Sequence, residues 1–223
     1  MRLIAHRGFA SVAPENTLRA VDSAASIADW IEVDVRRCGS GELVVIHDAT
    51  VDRVTDQSGT VSEYTSSELR SMCVLGTDEG IPTLAAVLRT IPEHVGVNVE
   101  LKEAGIAVDA LDLITSLHPR AVVSSFSRDI LSACTAVDPT TSLAYITEKS
   151  GTEGVETATE LGCAYLHLST AACTVPAISK AHRAGIQVNA WTVDTAERAA
   201  SLGALGIDGL IADRPGILPG PAG

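Results

Sequence analysis

Apolar and polar positions change rhythm along this chain in a regular way. Short runs rich in apolar and β-branched residues alternate with stretches in which apolar residues recur at i, i+3 and i+4, the period of an amphipathic helix. The short runs predict strands over 2–5, 30–36, 96–101, 121–125, 141–146, 164–168, 186–192 and 208–212. The longer stretches predict helices over 17–28, 83–90, 106–117, 127–137, 152–161, 176–184 and 195–202. Strands separated by helices pair in parallel through crossovers. Eight such strands match the count of a (β/α)8 barrel. The expected fold is therefore α/β, a single-domain TIM barrel over 1–223.

A ninth run, 42–46, breaks the rhythm, because only Gly39-Ser40-Gly41 separates it from the strand before. That linker is too short for a parallel crossover, so the two must form an antiparallel hairpin that extends the second strand. With the turn centred on Ser40, His47 falls beside Val33 and within reach of Glu32 and Asp34. Residues 49–82 form the longest irregular stretch and read as an insertion or small cap, with no low-complexity linker to mark a second domain. The tail 215–223 is rich in Gly and Pro and is expected to fray.

Composition narrows the possible partners. The chain has 223 residues, 46% hydrophobic and 20% charged, ordinary for a folded globular protein with a core that needs no disulfides. Its 28 acidic against 16 basic residues give a net charge of −12, which leaves no basic footprint for nucleic acid or anionic lipid. Cys38, Cys73, Cys134, Cys163 and Cys173 form no CxxC pair or zinc spacing and read as reduced thiols. The N-terminal MRLIAHRGFA lacks the apolar stretch of a signal peptide. No apolar run approaches the roughly 20 residues that span a bilayer. The expectation is a cytoplasmic protein acting on a small molecule, without stable membrane insertion.

Barrel active sites form at the C-terminal ends of the strands, and the polar residues cluster there. The first strand ends in Ala5-His6-Arg7-Gly8, and the second carries Glu32-Val33-Asp34, with both carboxylates on one face. The third holds Asn98-Val99-Glu100-Leu101-Lys102, the hairpin returns to His47-Asp48, and the seventh supplies Asn189 and Trp191. Each group alone is commonplace; their convergence on one mouth is not. Three rim carboxylates are costly without a partner, and a hard divalent cation is the natural one. Two histidines, an arginine and a lysine beside such an ion suit an anionic, phosphate-bearing ligand. Ser124 and Ser125 lack a Gly-x-Ser-x-Gly elbow, so a serine nucleophile is not expected. After Pro14, the helix start is assigned a cap at Asn16 or Thr17, with Asn16 preferred, and Glu15 is placed to orient Arg7. His94, His118 and His182 read as surface residues, and His167 as a rim or core residue.

These residues resemble a known family. His6-Arg7-Gly8, Pro14-Glu15-Asn16-Thr17, Glu32-x-Asp34-Val35 and Leu43-Val44-Val45-Ile46-His47-Asp48 are similar to the glycerophosphodiester phosphodiesterases, barrel enzymes of the phosphatidylinositol-phospholipase-C-like kind. The likeness continues in order through Asp52-Arg53, Val99-Glu100-Leu101-Lys102, Ser124-Ser125-Phe126, Asn189-Ala190-Trp191 and Ala212-Asp213-Arg214-Pro215. The resemblance implies a barrel that hydrolyses a glycerophosphodiester, such as glycerophosphocholine or glycerophosphoethanolamine, to an alcohol and sn-glycerol 3-phosphate. It implies His6 and His47 as the acid–base pair and leaves their order open; our reading has His6 take the proton of the attacking oxygen and His47 protonate the leaving alcohol. It also implies Glu32, Asp34 and Glu100 as ligands of one divalent cation, Mg2+ or Ca2+. Arg7 and Lys102 are implied as phosphate contacts and Trp191 as a substrate-side aromatic. Two departures stand out: Val54 where relatives often carry Thr, and a short 73–80 segment that suggests a more open mouth. A lysophospholipid-directed phosphodiesterase of the phospholipase D or C kind, and an inactive binder of phosphorylated metabolites, are the competing readings. The acidic charge argues against the first, and the intact residue set against the second.

Overall fold

The runs read as strands form one sheet that closes on itself. In the computed structural model, which describes residues 1–218, the strands are β1 (Arg2–Ala5), β2 (Trp30–Arg37), β3 (Leu43–Val45), β4 (Gly96–Leu101), β5 (Ala121–Ser125), β6 (Leu143–Thr147), β7 (Tyr165–Ser169), β8 (Gln187–Trp191) and β9 (Gly209–Ala212). All but β3 pair in parallel, in the order β1-β9-β8-β7-β6-β5-β4-β2, and a β1–β2 pairing closes the ring. Around it lie α1 (Leu18–Ala25), α2 (Ser66–Ser71), α3 (Leu84–Thr90), α4 (Ala107–Leu117), α5 (Arg128–Val137), α6 (Gly151–Glu160), α7 (Val175–Arg183) and α8 (Ala196–Ala204). This is a (β/α)8 barrel.

Every predicted strand and helix is present, with ends shifted by a few residues. Hydroxyl caps fix the helix starts: Thr17, Thr83, Ser127, Ser150, Thr174 and Thr195 each accept a backbone N–H from the first turn. Thr17 alone caps α1, so the preference for Asn16 is corrected; that side chain is used elsewhere. Helix α2 was not predicted, because six residues are too few to show a period. Its signal is a capping box, with Thr65 and Glu68 each accepting the other's backbone N–H.

The barrel strands alternate, but both faces are buried. Ile31, Val33, Val35, Val97, Val99 and Leu101 pack outward into the core between sheet and helices. The residues between them, Glu32, Asp34, Asn98 and Glu100, face the lumen, as do Ser124, His167 and Asn189, and all seven are buried. The polar phase of these strands thus marks the barrel interior and not solvent.

Strand β3 pairs antiparallel with β2 in the register set by a turn at Ser40: Val35 with Val45, Arg36 with Val44, Arg37 with Leu43. The pairing runs on through Ile46 N–H to Asp34 O at 2.9 Å. The insertion builds a second small core of Val44, Ile46, Val51, Val54, Val61, Leu69, Met72, Val74 and Ile81. Val54 is buried there, which explains an aliphatic residue at that position. Of the tail expected to fray, Ile217 packs into the barrel core, while 219–223 lie outside the described residues. His118 is corrected from surface to core: it follows α4, folds back beside β4, and its Nε2 bonds Val95 O at 2.8 Å. No described helix is long and apolar enough to cross a membrane. All five cysteines carry free thiols.

Candidate active site

At the end of β1 the chain turns sharply through His6–Gly8, with Arg7 at φ 52 and Gly8 at φ 79. Helix α1 lies against this turn so closely that a Cβ on residue 8 would come within 2.7 Å of Ala20. Only glycine fits. The turn aims His6 and Arg7 over the mouth. Barrel closure pairs Ala5 with Ala212, so Asp213 emerges beside His6. The His6 Nδ1 lies 2.6 Å from Asp213 Oδ1, and its Nε2 lies 4.0 Å from Glu32 Oε2. Burial lowers the His6 pKa, but the Asp213 bond and the Glu32 charge outweigh it, and the ring holds its proton above the ordinary value.

Glu32, Asp34 and Glu100 stand on adjacent strands, with Asp34 paired to Glu100 in the ladder. One oxygen from each lies within 4.8 Å of the other two. Cations surround them. Arg7 donates its backbone N–H to Glu32 Oε2 at 3.0 Å, and its Nε lies 3.2 Å from Asp34 Oδ2. Lys102 Nζ lies 2.5 Å from Glu100 Oε1 and 3.0 Å from Asp34 Oδ1. Asn16 donates to Asp34 Oδ2 at 2.9 Å, the role it takes in place of a helix cap. Burial pushes the Glu32 and Glu100 carboxyls up, and the Asp34 charge adds to it. Burial would raise Asp34 too, but Lys102 and Arg7 hold it below the carboxylate range. Glu32 Oε1 is buried and has no partner among the described residues. Two protein cations therefore leave this cluster undercharged, and an all-oxygen donor set with a free carboxylate oxygen fits a hard divalent ion.

The hairpin delivers the second histidine. Arg36 Nε donates to His47 O at 2.9 Å, and His47 Nδ1 lies 2.6 Å from Asp48 Oδ1. Burial lowers the His47 pKa and prevails over the nearby carboxylates. From Asp48 a chain of ion pairs returns to Arg7. Arg53 donates to Asp48 Oδ2 at 2.5 Å and to both Glu15 oxygens at 2.8 Å, and Arg7 Nη1 donates to Glu15 Oε1 at 2.7 Å. Glu15 thus orients Arg7, as read from the sequence. Trp191 stands at the rim, its ring edge-on to Phe126 at 5.6 Å, with Nε1 donating to His167 O at 3.1 Å.

A cleft of about 150 Å³ gathers His6, Arg7, Glu32, His47, Glu100, Lys102 and Trp191, with Asp34 beside Lys102. All eight candidate residues therefore meet at one end of the barrel. Sequence reasoning missed the partners that hold them: Asp213, Asp48, Arg53 and Asn16. Asp213 had a usable signal, since it follows the last barrel strand at the active end.

The profile of the glycerophosphoryl diester phosphodiesterase family matches residues 6–217. A glycerophosphodiester phosphodiesterase of Caldanaerobacter subterraneus is 30% identical over 228 residues, covering 96% of this chain and 94% of that protein. One from Bacillus altitudinis is 30% identical over 233 residues, covering 96% and 95%. Among solved structures, a phosphodiesterase of Oleispira antarctica in complex with the product sn-glycerol-3-phosphate superposes with a TM-score of 0.88 at 29% identity, covering 96% of this chain and 94% of that one. The glycerophosphodiester phosphodiesterase of Thermotoga maritima superposes with a TM-score of 0.83 at 27% identity, covering 96% and 94%.

Proposed function

The chain belongs to the glycerophosphoryl diester phosphodiesterase family and is a phosphodiester-cleaving enzyme, and from that premise we propose that it hydrolyses small glycerophosphodiesters with a divalent cation held by Glu32, Asp34 and Glu100. The observation that carries this reading is the meeting of two carboxylate-anchored histidines with Arg7 and Lys102 around three buried carboxylates. Glycerophosphocholine and glycerophosphoethanolamine are the substrates of choice, and sn-glycerol 3-phosphate is the product.

Arg7 and Lys102 bind the phosphodiester and offset the charge that builds on its oxygens during transfer. Bound at the carboxylates, Mg2+ or Ca2+ would supply Lewis-acid polarisation of the phosphoryl group. Asp213 and Asp48 each bond the Nδ1 of one histidine and so fix its tautomer, leaving Nε2 for proton transfer. Both rings bond a carboxylate through Nδ1, but the Glu32 charge adds to the hold of His6 on its proton, whereas burial, with Lys102 and Arg7 nearby, lowers that of His47. These environments favour His47 as the base and His6 as the acid that protonates the departing alcohol. That reverses the order read from the sequence. Among the described residues no serine or cysteine lines the cleft, which speaks against a covalent enzyme intermediate; we assign the attack to the hydroxyl beside the phosphoester, whose proximity gives it a large effective concentration, with water opening the cyclic phosphate afterwards.

Choline release from glycerophosphocholine, followed before and after excess EDTA and then on return of Mg2+ or Ca2+, tests the reading. Loss and recovery of turnover are expected. An undiminished rate in chelator overturns the metal assignment, and no release from a panel of glycerophosphodiesters overturns the substrate class. A 2-deoxyglycerol analogue should bind yet turn over far more slowly; an equal turnover number leaves direct attack by water.

A further inference from the structure

One edge of β2 changes partner partway along. β1 pairs with it as far as Ile31, and β3 joins it from Val35. Asp34, one of the three clustered carboxylates, falls in the gap between them. Asn16 fills that gap with a side chain instead of a strand. Its Oδ1 accepts the Asp34 backbone N–H at 3.3 Å, and its Nδ2 donates to Asp34 Oδ2 at 2.9 Å. Its own backbone N–H donates to Arg7 O at 3.0 Å. The residue is thus tied to the turn after β1 and to the middle of β2, and it is buried, 3% exposed.

The position makes two demands on the side chain. The backbone there turns through φ 60, a left-handed conformation that glycine, asparagine and aspartate adopt and most residues resist. The carboxylate beside it needs a donor that brings no negative charge. Glycine has no donor, and aspartate would set a fourth carboxylate against three already crowded within 4.8 Å. Asparagine meets both demands. Its neighbours serve other partners: Glu15 holds Arg7, and Thr17 caps the first turn of α1. The three successive residues are therefore separable by mutation.

The bonds on Asp34 are divided between its oxygens. Asn16 Nδ2 and Arg7 Nε, the latter at 3.2 Å, both rest on Oδ2, whereas Lys102 Nζ lies 3.0 Å from Oδ1. The carboxylate cannot rotate without giving up the Asn16 bond. Outer partners of this kind orient a ligand and are felt in the affinity of the metal it holds.

We propose that Asn16 is a positioning residue of the metal site, fixing Asp34 through Oδ2 and the strand backbone behind it so that Oδ1 is the oxygen left to a divalent cation. This rests on the cation reading above. Asn16 acts on the ion only through Asp34 and touches neither substrate nor reacting atoms.

Calorimetric titration of the full chain with magnesium chloride, repeated with calcium chloride, tests it beside thermal unfolding in EDTA. Asn16→Gly keeps the left-handed turn and removes both side-chain bonds. Its metal affinity should fall about 10–100-fold, the usual effect of losing an outer partner. Thr17→Ala is the control: α1 loses its cap, so the unfolding midpoint should drop while metal affinity stays at the wild-type value. Should the glycine variant not fold, Asn16→Ser, whose shorter side chain cannot bridge both Asp34 groups, takes its place. Wild-type metal affinity in the Asn16 variant overturns the assignment. So does an equal loss in Thr17→Ala, which would make stability of the turn, and not the Asp34 bonds, the cause. Failure of the parent reading looks different, since wild type itself then binds neither ion.

Discussion

His6 and His47 are each gripped by a carboxylate at 2.6 Å, so ring and grip have separable effects. Removing one acid–base group costs about 10²–10⁴-fold in rate; His6→Ala and His47→Ala should each fall in that range in a choline-release assay. His94 is exposed and outside the cleft, and His94→Ala should leave turnover unchanged. His118 is a structural residue, and His118→Ala strands the Val95 carbonyl at a loss of about 1–3 kcal/mol in urea unfolding. Asp48 carries a pH signature. Burial raises its pKa, but hydrogen bonds to Arg53 and His47 outweigh that and hold it at about 2. A carboxyl depressed in the folded state stabilises the protein above its unfolded value of 3.8, and that contribution is lost as pH falls through 2. Asp48→Asn should therefore melt below wild type at neutral pH, with the gap closing between about pH 4 and about pH 2.

At the scale of elements, the hairpin and the insertion after it form a bracket over the mouth. The insertion's own apolar cluster fixes the backbone near Val51 and Val54, and Arg53 between them reaches both Asp48 and Glu15. Arg53 thus ties the histidine that follows β3 to the arginine on the turn after β1, and β3 and β1 share no ladder. Its substitution should act on the site and spare the barrel. Arg53→Met is expected to lower kcat/KM on the order of tenfold, the usual effect of removing an outer support, with an unfolding midpoint close to wild type. A loss of fold in circular dichroism would show instead that the bracket holds the barrel together.

At the scale of the whole molecule, a chain of net charge −12 buries three carboxylates within 4.8 Å of one another at the barrel mouth. Their mutual repulsion is relieved only in part by Arg7 and Lys102, so a bound cation should stabilise the fold as well as support turnover. Chelation should lower the Tm of wild type. Glu100→Gln removes one of the crowded charges, so its Tm should respond less to chelator while its metal affinity falls. Scanning calorimetry with and without EDTA checks both, and an identical Tm shift in the two proteins would exclude Glu100 from the ion's ligands.

Much of this molecule follows from local order along the chain. Strand and helix runs are set by side-chain periodicity and hydroxyl caps, so the barrel and its hairpin register could be read from residues near one another. The pairs Glu32–Asp34 and Asn98–Glu100 share a face because side chains alternate along a strand, whatever the fold around them. Closure of the ring decided the rest. Asp213 and His6 are 207 positions apart and meet only because β9 pairs with β1. His118 continues the buried face of α4, four residues after Ile114, but its ring finds a hydrogen-bond partner only because Val95 lies beside the end of that helix. Asn16 looks like a helix cap in isolation and binds Asp34 only when the turn after β1 lies over β2. Periodicity reports which face of an element is apolar, and so fixes elements and their order. Which polar groups face one another depends on distances across the lumen, and those exist only once the sheet has closed.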